Sequence, residues 1–185
     1  LDSTGVAREA SLAIAQNASL ENVTQLNLAG NKVQLDTLFE SGSLVHVSHL
    51  DVSGSRFRKS GRDRLLDSGW LPRLRSLNLA NTKITATSVR VLANRPELEQ
   101  LRELNLSGNS LGDDALTALA NSPYLFRLQM LRLDMIACTQ VGITALAQTW
   151  NLPRLTCLSL DRYMGGWGRG RDMGPFDSIA AFAQA

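Results

Sequence analysis

Leu101-Arg102-Glu103-Leu104-Asn105-Leu106-Ser107-Gly108-Asn109-Ser110-Leu111, running on into Gly112-Asp113-Asp114-Ala115-Leu116-Thr117-Ala118-Leu119-Ala120-Asn121-Ser122-Pro123-Tyr124-Leu125, is the stretch whose reading settles the fold. Its first part alternates apolar and polar residues, the period of a strand with one buried face. Its second part sets Ala115, Leu116, Leu119 and Ala120 at i, i+1, i+4 and i+5, the stripe of a helix that buries one side. Between them, Gly108 and Asn109 are turn residues.

The unit recurs. Leu74-Arg75-Ser76-Leu77-Asn78-Leu79, Leu128-Gln129-Met130-Leu131-Arg132-Leu133 and Leu155-Thr156-Cys157-Leu158-Ser159-Leu160 repeat the strand part in steps of 27 residues. One such step back lies Val47-Ser48-His49-Leu50-Asp51-Val52, and a shorter step of 24 reaches Val23-Thr24-Gln25-Leu26-Asn27-Leu28. The helix stripe returns at Ser88, Val89, Leu92, Ala93 and at Gly142, Ile143, Leu146, Ala147, with a weaker copy at Gly61, Arg62, Leu65, Leu66. Its first position is always Gly, Ser or Ala, so neighbouring helices can lie close. Pro96 and Pro123 follow two helices, and Pro72 and Pro153 precede two strands, where proline stops the helix and fixes the return.

Asn31 with Val33 and Asn109 with Leu111 complete the pattern L-x-x-L-x-L-x-x-N-x-L, with Ser55 and Thr82 as small polar stand-ins for the Asn. That residue is suited to bonding backbone groups left open by the turn after the strand. The pattern resembles a leucine-rich repeat, and 108–125 resembles its ribonuclease-inhibitor-like class, as in bacterial repeats of about 27 to 28 residues. The resemblance implies an α/β fold: a right-handed solenoid, or horseshoe, with a parallel concave sheet, convex helices and about six repeats between terminal caps. It also implies a role in binding. The class serves inhibitors, immune sensors, GTPase-activating proteins and secreted effectors, so it carries no catalytic residue over to this chain.

Composition agrees. Of the 185 residues 32 are Leu, while aromatics number three Trp, two Tyr and five Phe. At 44% apolar and 19% charged the chain is too hydrophobic to be disordered. No apolar run is long enough to span a membrane, and the first residues form no signal peptide. Leu1 opens the chain without an initiator Met, as in an excised domain or a processed product. The net charge is +2, and 16 of the 19 basic residues are Arg, which fits a GC-rich coding genome. Two Cys make no disulfide framework, so a reducing, cytoplasmic setting is expected unless the chain is delivered as a secreted effector.

One domain, 1–185, is expected: a capping helix over 1–22, repeats over 23–162, and an insertion loop with a second capping helix over 163–185. The first repeat is three residues short, reducing its helix to a turn near Leu38 and Phe39. Ile136 and Tyr163 replace the turn Asn, so the polar ladder should fail in the last repeats. The Gly-rich insertion carries Tyr163, Trp167, Arg169 and Arg171. It reads either as a contact loop or as a flap with Trp167 folded over the end of the core.

The register makes three strand columns face outward. They are Gln25, His49, Ser76, Glu103, Met130, Cys157; then Asn27, Asp51, Asn78, Asn105, Arg132, Ser159; then Ala29, Ser53, Ala80, Ser107, Asp134, Asp161. From these, His49, Asp51, Asn78, Glu103, Asn105, Met130, Arg132, Asp134 and Asp161 are the candidate protein-binding face. It lacks aromatics, which counts against a tightly anchored interface there. Lys32, Arg56, Arg58, Lys59, Arg62 and Lys83 form a candidate basic rim, either a landing site for a polyanion or a solvated edge. His46, Arg73, Arg127 and Arg154 form a second basic column on the opposite edge.

No nucleophile elbow, phosphate loop or dinucleotide fingerprint occurs. His46 and His49 point different ways from one strand and have no Cys at metal-ligand spacing. Asp113 and Asp114 read as helix-dipole charges. The expectation is a non-enzymatic interaction module of a larger bacterial protein, with a protein partner and without cofactor, metal, membrane or small-molecule substrate. Nucleic-acid binding through basic rims is one alternative. A GTPase-activating or effector protein, with its activity in a loop or missing domain, is the other.

Overall fold

The computed structural model describes residues 21–31, 46–55 and 69–160, with positions 9, 12–14, 16, 17 and 65. Six strands form one open parallel sheet: β1 Gln25–Asn27, β2 His49–Asp51, β3 Ser76–Asn78, β4 Glu103–Asn105, β5 Met130–Arg132 and β6 Cys157–Ser159. Their order in the sheet is their order in the chain. Leu26, Leu50, Leu77, Leu104, Leu131 and Leu158 stand side by side, so the repeat spacing read from the sequence is the pairing register.

Among the described residues three complete helices cover the other side: α1 Ala86–Ala93, α2 Gly112–Ala120 and α3 Gln140–Ala147. Each is about two turns long, too short to be stable alone, and persists because one face is buried. Val89, Leu92, Ala93, then Ala115, Leu116, Leu119, Ala120, then Gly142, Ile143, Leu146, Ala147 are the buried stripes. Strands stack about 4.8 Å apart and helices 8–10 Å apart, so the array bends with the sheet inside. Pro72 and Pro96 each lie in a short 3-10 turn, Leu71–Arg73 and Pro96–Leu98.

Strands end after three residues for a definable reason. The side chains of Asn27, Asp51, Asn78 and Asn105 accept the N–H two residues on, at 2.9–3.1 Å, which folds the backbone into an Asx turn. Three residues after each of them the backbone turns left-handed, at Gly30, Gly54, Asn81 and Gly108, and Met135 continues the column. The next ladder is fully internal. Asn109 donates to the carbonyls of Leu79 (2.9 Å) and Leu106 (2.8 Å) and accepts the Thr82 N–H (3.1 Å). Thr82 donates to Leu79 and Ser55 to Asn31, as their place in the pattern implies. Ile136 holds the same position with 1% exposure, so apolar packing replaces the polar ladder there.

A third ladder was not legible in the pattern. Ser122 donates to the carbonyl of Ala93 at 2.5 Å, and Thr149 and Asn151 donate to that of Ala120. Each turn after a helix thereby caps the C-terminus of the preceding helix, where carbonyls lack partners.

The helix starts are joined in the same way, and here one expectation needs correcting. Asp113 lies in the first turn of α2, yet its carboxylate accepts the Thr139 N–H (2.7 Å), the Thr139 hydroxyl (2.6 Å) and the Gly142 N–H (3.1 Å). It caps the next helix, so its role exceeds complementing its own dipole. Burial, the largest single influence, pushes its carboxyl pKa up. The hydrogen bonds from Thr139 and Gly142 outweigh that and hold it below the usual value. A Cβ on Gly142 would stand 2.7 Å from Asp113 Oδ1 and 3.0 Å from Leu116, so glycine is what lets α3 approach α2.

At the N-terminal end, positions 9, 12–14 and 16 are helical, and Ile14 packs half-buried against the core. The turn expected near Leu38 and Phe39, and the insertion and cap beyond residue 162, lie outside the described residues. No helix among the described residues is long and apolar enough to cross a membrane.

Candidate interaction surface

The outer face of the sheet forms a shallow open groove of about 420 Å³ running from Gln25 in β1 to Arg132 in β5. Eight of the nine candidate concave residues are described; Asp161 is not. The structure sorts these eight by what they already do. Asp51 uses Oδ1 for its Asx turn and Oδ2 to accept from Asn78 Nδ2 at 2.9 Å. Asn78 and Asn105 use their carbonyl oxygens for turns. Glu103 accepts from the Ser76 hydroxyl at 2.9 Å, and His49 Nδ1 lies 2.9 Å from the Ser48 hydroxyl. Asp134 is half-buried and accepts from Ser107 (3.3 Å) and Ser159 (2.5 Å). Met130, half-buried, and Arg132, exposed, have no such commitment, and Gln25 and Cys157 are exposed beside them.

The third outward column is corrected in its middle repeats: Ala80 and Ser107, expected to face out, are each only 7% exposed, while Ala29 is exposed and Ser53 and Asp134 are half-buried.

Of the expected rim, Lys83 is described: it is exposed and holds a left-handed φ of 61°. Lys32, Arg56, Arg58, Lys59 and Arg62 lie outside the described residues, as do Tyr163, Trp167, Arg169 and Arg171 of the insertion. The opposite edge, before the strands, is described in full. His46, Arg73, Gln100, Arg127 and Arg154 follow one another there, and Arg127 donates to Gln100 Oε1 across one repeat at 3.0 Å. Two residues on, a second column runs Ser48, Arg75, Arg102, Gln129, Thr156, with the N–H of each after Ser48 bonded to the carbonyl before it. The sequence reading missed Arg75 and Arg102 on this edge. It also missed Trp150, which is 90% exposed, and Phe126, 36% exposed with Arg127 over its ring at 5.8 Å. The signal was available: Trp150 occupies the repeat position held by Pro96 and Pro123.

Chemistry is sparse elsewhere. Among the described residues no three His, Cys, Asp or Glu gather where a metal could be held. Both cysteines are free thiols. Burial, with a smaller contribution from the Asp113 charge, pushes Cys138 up to about 11, which keeps it protonated and unreactive at neutral pH.

The "Leucine Rich repeat" family matches residues 100–120, which span β4 and α2. No curated protein sequence matches the chain. Among solved structures it is similar to an internalin from Listeria monocytogenes, with 18% identity and a TM-score of 0.44. That alignment covers 84% of this chain but 61% of the internalin, so the chain spans less than two thirds of that protein's length. Six strands in register, helices stacked at the same interval and an internal polar ladder extend to the neighbouring repeats the architecture of the fourth copy, the one that matches the leucine-rich repeat family.

Proposed function

We propose that the chain is a non-catalytic protein-interaction module, working as part of a larger bacterial protein. The observation that carries this reading is the groove, which lies open along the sheet from β1 to β5 and is lined mainly by polar side chains and strand leucines, unlike the enclosed apolar cleft that suits a metabolite. A macromolecular partner suits such a surface, since stacked repeats present area instead of a pocket. The reading takes the setting to be cytoplasmic, or the cytosol of a host if the protein is a delivered effector, and the two free thiols suit either reducing environment.

Affinity capture with the whole chain as bait, from an extract of its source organism, tests the reading. The captured protein is then titrated as a purified species against the wild type and against a Met130→Ala, Arg132→Ala double variant. A stoichiometric complex supports the module. Capture of nothing that binds again when purified overturns it.

A further inference from the structure

The edge before the strands differs from the sheet groove in both charge and chemistry. A depression of about 570 Å³ opens on it, lined by His46, Arg73 and Arg75 with the polar side chains of Asn22, Thr24, Ser48 and Gln100, and, among the described residues, by no carboxylate. Arg102, Arg127 and Arg154 continue the positive charge across the following repeats. Arg75, Arg102 and Arg154 make no side-chain hydrogen bond or ion pair, and Arg73 makes only a 3.5 Å contact with the Gly69 carbonyl. Unpaired guanidiniums crowded along one edge repel one another, and an incoming anion relieves that repulsion. In the later repeats Phe126, under Arg127, is 36% exposed, and Trp150, 90% exposed, stands in the segment that leads through Arg154 into β6. Exposed aromatics together with arginines have the composition of an interface anchor, and no described residue of the sheet groove is aromatic.

We propose that this edge docks an acidic polypeptide segment bearing an aromatic side chain, its carboxylates on Arg73, Arg75, Arg102 and Arg127 and its aromatic side chain against Trp150. The inference rests on the module reading and names the surface and the kind of partner. From Arg73 to Arg154 is three repeats, which an extended segment of roughly five to nine residues spans. A polypeptide suits the edge better than a nucleic acid. Glu99, exposed and pairing with none of the arginines, holds the repeat position of Pro72 and Phe126 on this edge. A phosphate backbone would carry a charge past that carboxylate, whereas a polypeptide can place a neutral residue there.

The test titrates the whole chain, at one ionic strength, with labelled poly(Glu,Tyr), labelled poly-Glu and a labelled oligo-dT strand. Poly(Glu,Tyr) is expected to bind about tenfold or more tightly than poly-Glu, and Trp150→Ala should abolish that advantage. Arg75→Ala, Arg102→Ala and Arg127→Ala together should weaken both polymers about tenfold, while the matching Lys triple variant retains most of the binding and so excludes misfolding as the cause. Full-strength binding by the Ala triple variant overturns the proposal. So does oligo-dT binding more tightly than poly(Glu,Tyr), or no binding of poly(Glu,Tyr) at all. A purified partner that binds the rim variants as it binds the wild type overturns the edge and leaves the module standing.

Discussion

Met135 is the residue most at odds with its place. Gly30, Gly54 and Gly108 hold the same turn position with φ near +70°, and Asn81 holds it at 56°. Glycine has no Cβ to clash there and asparagine tolerates the region, whereas Met135 adopts a φ of 52° with an ordinary side chain that is 47% exposed. Little packing offsets that strain. Met135→Gly should therefore stabilise the fold by about 1 kcal/mol, even after the added freedom of the unfolded chain is counted. A urea titration checks this, and a lower midpoint would mean that the Met135 side chain packs better than its exposure indicates. The reverse case is Gly108, where a Cβ would come within 2.1 Å of Asn81 Oδ1, so the column accepts a side chain only where its neighbour leaves room.

At the scale of elements, the helices are held less by their own sequences than by bonds from the repeat next door. The Leu and turn positions were legible because each recurs in its own column, and one copy explains another. The caps were not, because each joins two different columns: Asp113 to Thr139 across 26 residues, Ser122 to Ala93 across 29. A reader following one repeat at a time meets Asp113 and Ser122 as ordinary surface residues. The concave face was legible in register but not in use, since nothing in the spacing of Asp51, Asn78 and Asn105 says that their side chains are spent on turns. Asp113 makes its capping role measurable. Its pKa is lower folded than the usual 3.8, so its contribution is present above that value and lost as pH falls through the folded pKa. Asp113→Asn, which keeps one acceptor and cannot titrate, should cost about 1 kcal/mol at neutral pH. Thermal melts of both proteins from neutral pH down into acid should then converge below the usual carboxylate range. A gap that persists in acid would show that the charge is not what matters.

Across the described repeats, strands and helices pack mainly on those of the adjacent repeat, along one continuous apolar core, so stability is close to a sum of units and interfaces. Leu77, Leu104 and Leu131 have a strand on each side and are at most 1% exposed, whereas Leu26 and Leu158, on the outer strands, are half-buried. One position reports this gradient cleanly. The N–H groups of Leu28, Val52, Leu79, Leu106 and Leu133 each bond to a carbonyl of the next repeat, at 2.7–3.1 Å. Local geometry is therefore matched, and differences in hydrogen exchange among them measure how often each part of the array opens. Protection should peak at Leu79 and Leu106 and fall toward Leu28 and Leu133, by about tenfold for each 1.4 kcal/mol of difference in opening free energy. Leu28 should exchange fastest, because the step from β1 to β2 is 24 residues where the others are 27, leaving less chain to pack behind it. Equal protection at all five amides would mean that the array opens only as a whole, and that the bonds joining successive helices couple the repeats more strongly than nearest-neighbour packing does.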